Sequence, residues 1–499
     1  MNFSRQTYLS LLLVAIAPLA KADWPTFRND AERTGYTPEL LTEKLSLQWS
    51  HHSAKPQPAW PRSSRKTFDF AHQPIAADGM VYFGSSVDCA VRALDAATGK
   101  RKWIFHTRSP IRFAPLYWKG QLFVGSDDGY LYCLDAAIGK LRWKLRAGPN
   151  DEMVLGNGRL VSRWMVRGGA AVRDGILYFA AGIWPTEGVF VYALNAKTGK
   201  VIWKNDSSGS IYMGQPHGGA SAASGVSSQG YLAVSDKRVF VATGRSVPAA
   251  FDRATGKFQY YHLQSNTANG GSLIIVSDEF CLNQGMAFSR STGSHGDRLG
   301  GGAIAAIPGG LVRVSGTDVA TFKWADKEFL DRKGNKQTKR ALSAGIKIKL
   351  AGLGANVIVA GTHAIVGGKD KIAMVDLKTR RQLWVAPIKG TAHGLATTGG
   401  RLLVSTDEGI LYCFSGAPQK GLVIKPEINL APYRNNEKFA AAAKEIAAAE
   451  IATKGFALDL GCGDGRLIFE LAKATDLHIV GVESDPDKVA MARAKLSAA

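Results

Sequence analysis

Cysteine is scarce in this sequence, with five among 499 residues, no Cys-x-x-Cys pair and no two cysteines side by side. An odd number at wide spacing excludes a dense disulfide framework. Cys133 and Cys413 occur at matching places in similar segments, which is typical of small core residues. After the first 22 residues the chain also lacks any apolar run long enough to cross a membrane as a helix.

Acidic residues are few relative to basic ones: 41 Asp and Glu face 62 Lys and Arg, a formal net charge of +21. The surplus gathers partly in residues 55–66 and 323–350. Basic surfaces attract polyanions such as cell-wall polymers, anionic lipid headgroups or nucleic acid, although a solvated basic face explains the pattern equally well. No basic stripe alternates with aromatic residues, so the sequence carries no specific nucleic-acid signal.

The first 22 residues have the pattern of a cleaved signal peptide. Arg5 precedes an apolar run, Leu9 to Leu19, that is too short to span a bilayer, and residues 20–22 read Ala-Lys-Ala, an A-x-A cleavage site. An uncleaved anchor is the alternative. The pattern predicts an exported protein, periplasmic or extracellular, that does not span the membrane once the signal is removed.

Glycine is plentiful, with 55 residues, and it recurs in a repeated hairpin. Residues 91–103, 131–143 and 191–203 read VRALDAATGKRKW, LYCLDAAIGKLRW and VYALNAKTGKVIW. In each segment an alternating strand leads to an Asp or Asn turn, and glycine permits the positive φ that the turn needs. We therefore predict turn formers at Asp95, Asp135, Asn195 and Asp252, and packing between units at Trp103, Trp143, Trp203 and Trp384.

A further strand pair precedes each hairpin, and these pairs indicate eight units across residues 23–422, enough for blades of about 40–45 residues with insertions. The last unit stops at residues 409–416 without a returning strand, whereas residues 42–49 (TEKLSLQW) look like a returning strand without a unit. We expect residues 44–50 at the outer edge of the eighth unit, which would close a ring.

The D-A-x-T-G-K-x-x-W hairpin resembles the pyrroloquinoline-quinone (PQQ) type repeat, and DWPTFRNDAERTG resembles the start of exported members of that family. The resemblance implies a mainly β fold, an eight-bladed PQQ-type β-propeller over residues 23–422. Members that are quinoprotein dehydrogenases bring a vicinal cysteine pair and calcium ligands. This chain has no Cys-Cys and no matching Glu/Asn/Asp set. We therefore expect neither bound PQQ nor a metal site, as in relatives that act as interaction platforms.

Three residues are candidate ligand contacts on the propeller: His72, Arg112 and His393. They fall at corresponding positions beside the inner strands, and His72 and His393 would approach each other if the first and eighth units were neighbours. Paired imidazoles can hold a metal or an anionic group, whereas two separately hydrogen-bonded histidines are the simpler alternative. The glycine-rich segments around His217 and His295 are predicted to be long loops between strands, where binding residues usually lie, although disorder explains the segment after His295 equally well.

The composition changes after Gly421. Residues 423–455 are predicted to form a linker and an alanine-rich helix, and residues 456–499 a strand, glycine turn, helix, strand and helix. The segment ALDLGCGDGRL resembles motif I of class I S-adenosylmethionine (SAM) dependent methyltransferases. The resemblance implies an incomplete α/β, Rossmann-like module that binds SAM through Asp459, Gly461, Gly463, Gly465 and Glu483. Because only two strands are present, we expect an exposed apolar face.

Together these patterns predict an exported, monomeric PQQ-like propeller that serves as a binding or interaction platform and carries a truncated methyltransferase-like module. Its partner would be a protein or an anionic polymer. Two alternatives remain open: a SAM-dependent methyltransferase whose propeller recruits substrate, complete only in a longer chain, and a quinoprotein dehydrogenase. No catalytic residue is assigned.

Overall fold

The computed structural model describes residues 23–499 except 216–218, 245–246, 264–269, 332, 351, 427, 450–452 and 498. The predicted signal peptide and His217 lie outside the described residues. No helix within the described part of the chain is long and apolar enough to cross a membrane.

The described chain is mainly β, and its first half contains two leading strands, four four-stranded units and several short strands. In chain order they are β1 (Tyr36–Thr37), β2 (Ser46–His52), β3 (Ile75–Ala77), β4 (Met80–Gly84), β5 (Ala90–Asp95), β6 (Arg101–His106), β7 (Leu116–Trp118), β8 (Gln121–Gly125), β9 (Tyr130–Asp135), β10 (Leu141–Arg146), β11 (Met153–Gly156), β12 (Arg159–Ser162), β13 (Gly168–Arg173), β14 (Ile176–Ala181), β15 (Phe190–Asn195), β16 (Val201–Asn205), β17 (Tyr212–Gly214), β18 (Ser221–Ala223), β19 (Gly230–Tyr231), β20 (Ala233–Val234), β21 (Arg238–Val241), β22 (Ala249–Asp252) and β23 (Phe258–Tyr260). A 3₁₀ turn, Pro185–Glu187, precedes β15.

The second half contains four more units and one added strand. They comprise β24 (Ile275–Ser277), β25 (Phe280–Asn283), β26 (Met286–Ser289), β27 (His295–Arg298), β28 (Ala303–Ile307), β29 (Gly310–Ser315), β30 (Asp318–Leu330), β31 (Lys336–Lys349), β32 (Leu353–Ala360), β33 (His363–Asp376), β34 (Arg381–Thr398), β35 (Arg401–Thr406), β36 (Ile410–Ser415) and β37 (Leu422–Ile424).

Six units are sheets built from consecutive antiparallel strands: β3–β6, β7–β10, β13–β16, β20–β23, β24–β27 and β28–β31, numbered units 1 to 6. Units 7 and 8 share one sheet because β34 belongs to both. Its first part pairs with β33, and its last part, from Ala392, pairs with β35. All described sheets are open and separate, so the units are held together by side-chain packing between faces rather than by closure of one sheet.

Contacts between a tryptophan of one unit and the hairpin turn of the next hold neighbouring units together. Trp103 of unit 1 donates its indole N–H to the carbonyl oxygen of Ala136 in unit 2 at 3.0 Å. A Cβ on Gly139 would lie 2.5 Å from that indole, and this glycine has φ +72°, so both contact and conformation require glycine. Trp143 packs on Gly199 in the same way, and the indole N–H groups of Trp203 and Trp384 donate to the carbonyl oxygens of Arg253 and Leu45. The predicted packing role of these tryptophans is confirmed.

The predicted turn formers are confirmed as well. The side-chain oxygen of Asp95 accepts hydrogen bonds from the backbone N–H groups two and three residues later, those of Ala97 and Thr98. The same turn occurs at Asp135, Asn195 and Asp252. Hydrogen bonds of this kind are characteristic of Asx turns and need no catalytic explanation.

Strand β2 lies where the orphan strand was predicted. It pairs antiparallel with β36 of unit 8, with Ser46 opposite Ser415 and Trp49 opposite Cys413. β37 then pairs in parallel with β2 and becomes the outermost strand of this sheet. Residues 422–424, which the sequence placed at the boundary with the linker, therefore extend the last sheet.

Residues 24–37, here called the belt segment, run along the innermost strands. Its carbonyl groups accept hydrogen bonds from the backbone of units 2, 4, 5, 6 and 7, at Tyr117, Val234, Val276, Ala306 and Val359, and its Trp24 pairs with Ala76 of unit 1. A single short segment can touch so many units only if their inner strands surround a common axis. The belt segment marks that axis.

The C-terminal part alternates helices and strands in the predicted order: α1 (Glu437–Ala448), β38 (Lys454–Leu460), α2 (Arg466–Ala474), β39 (Asp476–Val482) and α3 (Pro486–Leu496). β38 and β39 form a parallel pair. Leu458 is 60% exposed and Leu460 73% exposed. The predicted exposed apolar face of this strand pair is confirmed.

Candidate functional site

A cavity of about 280 Å³ lies at the axis, beside the inner strands of units 5 to 8. We call it the axial pocket. The belt segment supplies Phe27 and Arg28 to its lining, and residues 53–70, here called the cover segment, supply Ser64, Thr67 and Phe68. The remaining lining comes from the inner ends of the units, including Gln73, Tyr231, Ser272, Asn283, Gln284, Asn356 and His393.

Flat aromatic surfaces form one side of the axial pocket. The rings of Phe27 and Tyr231 are stacked, with centroids 3.6 Å apart and 11° between their planes. Phe68 stacks on Phe113 with centroids 4.6 Å apart. The hydroxyl of Tyr231 accepts a hydrogen bond from the backbone N–H of Ala114 at 2.8 Å, which holds this ring in place. Phe27 is the partly exposed ring of this set, and its aromatic surface can contact a planar ligand.

Amide side chains supply hydrogen-bonding groups to the pocket. Asn283 donates through Nδ2 to the carbonyl oxygen of Leu273 at 3.0 Å, while its Oδ1 is buried and has no hydrogen-bond partner among the described residues. Asn356 donates to the carbonyl oxygen of His393 and accepts from the N–H of Val357. A buried acceptor left unpaired costs free energy unless a donor reaches it, so Asn283 Oδ1 is a candidate ligand contact.

Arg28 is the cation of the pocket lining. Its guanidinium donates to backbone carbonyl groups, including those of Arg33, Ile304 and Val357. Burial lowers the pKa of Arg28 to about 10. The side chain therefore stays charged at neutral pH and places a positive charge at the wall of the pocket.

His393 is the imidazole in the described lining of the axial pocket. Burial lowers its pKa, and the carboxylate of Asp407, with Oδ2 3.9 Å from Nε2, acts in the opposite direction. Phe70 of the cover segment contacts the imidazole edge-on, with centroids 5.6 Å apart. The net effect is a neutral imidazole whose protonated form Asp407 would stabilise.

The structure gives the three predicted propeller contacts different surroundings. His393 lines the axial pocket. His72 is buried, and its Nε2 hydrogen bonds to the carbonyl oxygen of Ala54 at 3.0 Å, so the two histidines have separate partners. Arg112 lies outside the pocket lining, in a buried ion cluster. Ligand binding by these residues stays a prediction.

The ion cluster joins the cover segment to units 2 and 3. Arg112 donates to Asp69 at 2.7 Å and to Asp127 at 2.6 Å, and Arg167 donates to Asp127 at 2.8 Å. Burial would raise the pKa of Asp127, but the two arginines outweigh it and hold that pKa below its usual range. Arg167 was not singled out from the sequence, although it precedes the inner strand of unit 3 much as Arg112 precedes that of unit 2.

His295 begins strand β27 rather than lying in a loop, so the predicted loop around it is wrong. Its backbone pairs with Phe288, which extends unit 5 by an outer strand. The side chain lines a surface cleft of about 560 Å³ between units 4, 5 and 6. Among the described residues, no group of three or more His, Cys, Asp or Glu side chains is arranged to hold a metal.

In the C-terminal part, Gly461, Gly463 and Gly465 all have positive φ, between 58° and 85°. The N–H of Gly463 donates to the carboxylate of Glu483 at 2.9 Å, so the loop and the acid at the end of β39 satisfy each other. Burial raises the pKa of Asp459. The positive φ angles and the hydrogen bond between Gly463 and Glu483 therefore account for the glycines of this loop.

Comparison with known proteins identifies the repeats. Residues 56–143 and 155–307 match the family model described as outer membrane protein assembly factor BamB, which is built on PQQ-type repeats. These residues are PQQ-like repeats. The alcohol dehydrogenase (quinone) dehydrogenase subunit of Gluconacetobacter polyoxogenes is 33% identical over 144 residues, 26% of this chain and 19% of that protein. Tetrathionate hydrolase of Acidithiobacillus ferrooxidans is 30% identical over 159 residues, 32% of this chain and 27% of that protein.

Among solved structures, quinohemoprotein alcohol dehydrogenase of Comamonas testosteroni matches with a TM-score of 0.54 at 15% identity, and the match covers 86% of each chain. At that identity the match establishes the fold, a PQQ-type β-propeller. The curated relatives are matched over only about a fifth to a quarter of their own length.

These findings correct two predictions. The PQQ-like repeats have quinone-dependent alcohol dehydrogenases among their relatives, so the prediction of a binding platform carrying a methyltransferase module is wrong. The cofactor prediction, SAM rather than PQQ, is wrong for the same reason. Nothing in the matches supports a methyltransferase fusion or a Rossmann-like module. The expectation of no PQQ rested on the absence of a vicinal cysteine pair and of the family's metal ligands.

Proposed function

We propose that this protein is a quinone-dependent dehydrogenase that oxidises an alcohol, with PQQ bound in the axial pocket. The eight units are, in this proposal, the eight blades of one propeller. The observation that carries the proposal is the pocket itself, which combines stacked aromatic rings, a buried arginine and the unpaired Oδ1 of Asn283 at the propeller axis. The quinone-dependent relatives support the choice of cofactor.

The lining fits the organic part of PQQ. The molecule is a planar, three-ring quinone with three carboxylates and a pyrrole N–H. Phe27 is partly exposed and offers an aromatic surface to the rings. Arg28 contributes positive charge near a carboxylate, although its N–H groups already donate to carbonyl oxygens of the protein, and Asn283 Oδ1 offers an acceptor for the N–H. PQQ, when bound, supplies the two-electron oxidising chemistry.

The lining does not fit a divalent cation beside the quinone. Hard cations such as Ca²⁺ prefer several oxygen ligands that include carboxylates. The described lining contains no Asp or Glu, and its oxygen ligands are amides, hydroxyls and backbone carbonyls. We therefore propose binding of the quinone by protein groups alone and assign no step to a metal.

His393 takes the role of proton acceptor in this proposal. Because burial keeps its imidazole neutral, it can accept the hydroxyl proton of an alcohol. Asp407, 3.9 Å from Nε2, then stabilises the imidazolium. The cover segment, through Phe68 and Phe70, shields this side of the pocket from water.

The test measures binding and turnover separately. The protein is titrated with PQQ, with and without Ca²⁺, and quenching of tryptophan emission is followed. We expect saturable binding that Ca²⁺ does not change, weakened by Asn283→Ala and retained in His393→Gln. Dye-linked alcohol oxidation should be lost in His393→Gln and kept in His295→Gln, a matched control in the surface cleft. Absence of saturable PQQ binding would overturn the proposal.

Export is part of the same proposal, since residues 1–22 have the pattern of a cleaved signal. So is the division of the chain into a propeller (23–422), a linker and helix (423–455) and a C-terminal part (456–499). Determination of the N-terminal residue of the secreted protein tests the first point, with Asp23 expected. Limited proteolysis tests the second, with cleavage expected between residues 423 and 455.

A further inference from the structure

Unit 6 carries a hairpin that is longer than its sheet. β30 has 13 residues and β31 has 14, whereas β28 and β29 have 5 and 6. β29 pairs with β30 only as far as Lys323, so the later residues of β30 pair with β31 alone. We call residues 326–331 and 333–340 the hairpin tip. Its ladder is formed by β30 and β31 alone, with Leu330 opposite Lys336 at its end, while Arg340 at its base also pairs with Asp278 of unit 5 at 2.9 Å.

The hairpin tip presents apolar side chains to solvent. Phe329 is 42% exposed and Leu330 65% exposed, and both lie next to the turn. Two large apolar side chains exposed at the end of a hairpin do not stabilise the fold, and such exposure commonly marks a contact surface. The pair is too small for a stable protein interface by itself. Apolar side chains of this kind are, however, what peripheral proteins insert into a bilayer interface.

Unpaired lysines surround these two residues. Lys333, Lys336 and Lys339 are exposed and make no ion pair with any residue that the structure describes. The ammonium group of Lys339 lies 5.7 Å from the ring centroid of Phe329. The tip therefore offers positive charge directly beside an apolar residue.

The acidic residues of the hairpin tip do not cancel this charge at its end. Asp326 is engaged by Arg340, 3.2 Å away on the opposite strand. Asp331 accepts hydrogen bonds from the backbone N–H groups of Lys333 and Asn335 and so belongs to the turn. Glu328 is exposed and forms no ion pair with a described residue, but the three lysines outnumber it, so the charge at the tip is net positive in a chain with a net charge of +21.

From this arrangement we propose that the hairpin tip docks the protein on a membrane surface rich in anionic phospholipid. Phe329 and Leu330 enter the interface, and Lys333, Lys336 and Lys339 contact headgroup phosphates. Apolar residues beside basic ones are the combination that binds peripheral proteins to anionic leaflets. The inference does not depend on the proposed dehydrogenase activity.

Vesicle flotation with the whole protein tests the proposal. We expect binding to mixed phosphatidylglycerol–phosphatidylcholine vesicles and none to pure phosphatidylcholine, with a decline as salt is raised. Lys333→Gln/Lys336→Gln/Lys339→Gln should weaken binding on the order of a hundredfold, since each lysine near the surface contributes separately. Phe329→Ser/Leu330→Ser should also abolish flotation.

A matched triple variant separates the tip from net charge. Lys197→Gln/Lys200→Gln/Lys257→Gln removes equal charge from exposed turns of units 3 and 4 and should float like the parent. Equal loss in both triple variants, equal binding to both vesicle types, or no flotation of the parent protein would each overturn the proposal. Phe329→Trp adds a direct readout, because its emission should be quenched by brominated lipid only if the tip enters the bilayer.

Discussion

The indole N–H of Trp49 donates to the carbonyl oxygen of Ala96 at 3.1 Å, which joins the last unit to the first. Trp49 lies on β2, the outer strand of unit 8, and Ala96 lies in the hairpin turn of unit 1. The same indole covers Gly99, where a Cβ would lie 2.5 Å from the ring. Units 8 and 1, which are distant along the chain, are therefore joined by the same tryptophan–glycine contact that joins consecutive units.

This contact predicts a specific cost for Gly99→Ala. The residue has φ +68°, and the added methyl group would collide with Trp49. Gly79 has φ +75° with nothing within 4 Å, so Gly79→Ala carries the conformational cost alone. We expect Gly99→Ala to lower the free energy of unfolding by about 1–3 kcal/mol more than Gly79→Ala, measured by denaturant unfolding. Equal losses would mean that Trp49 does not pack on Gly99.

Asp127 should be a sensitive position because it is the acid that both Arg112 and Arg167 contact. Asp127→Asn leaves buried guanidinium groups without that charge, and we expect a loss of about 3–5 kcal/mol in unfolding free energy. The control is Asp135→Asn, in an exposed turn whose counterpart in unit 3 is already Asn195, with a loss below about 1 kcal/mol.

The same residue has a predicted pH dependence. Because the folded protein holds the pKa of Asp127 below its usual range, its ionisation stabilises the fold above about pH 4 and this contribution is lost as pH falls through the folded pKa. The difference in unfolding free energy between the parent and Asp127→Asn should therefore shrink in acid. A constant difference down to about pH 2 would contradict the ion pairing.

His51 predicts a second pH effect, at milder acidity. It lies in β2, and burial, reinforced by the charge of Arg92, lowers its pKa to about 4. Between about pH 6.5 and 4 the unfolded chain takes up a proton that the folded chain does not, so stability falls as pH falls, by up to about 3 kcal/mol. His51→Asn should flatten this dependence, whereas His295→Asn should leave it unchanged in urea unfolding measured across that range.

Thiol alkylation should separate the cysteines by burial. Cys133, Cys281 and Cys413 are buried, and burial raises the pKa of each to about 12. Because the thiolate is the reactive form, iodoacetamide should leave these three unmodified in the folded protein. Cys462, which is partly exposed, should react first, as followed by peptide mass spectrometry. Early labelling of Cys133 would place it outside the core.

Local pattern predicted most of the β architecture because each unit repeats the same short-range physics. The Asp turns, the positive-φ glycines and the docking tryptophans depend on residues within one hairpin and its neighbour. The position of β2 also followed from pattern, since an incomplete last unit and an unused first strand leave one pairing that satisfies both. The C-terminal helices and strands followed from periodicity and glycine placement alone.

The pocket could not be predicted in the same way. Asn283, Asn356 and Arg28 carry no local signal, because nothing in their own segments shows that they meet at the axis. His393 was selected by its place in the repeat and does line the pocket. His72 and Arg112 were selected by the same rule but are held by Ala54, Asp69 and Asp127. The cover segment causes this difference, because it supplies Ala54 and Asp69. The repeat pattern does not predict the path of this segment.

The sequence by itself determined the repeated unit, its turn chemistry and the pairing of the first strand with the last unit, since these rest on contacts between neighbouring segments. Only the tertiary structure decided which polar groups face the axis and which are neutralised by the cover segment. It also decided that Phe329 and Leu330 stand away from the core. Those outcomes depend on where distant segments meet. Burial and charge pairing between distant segments produce no periodic pattern in the sequence, so they cannot be predicted from it.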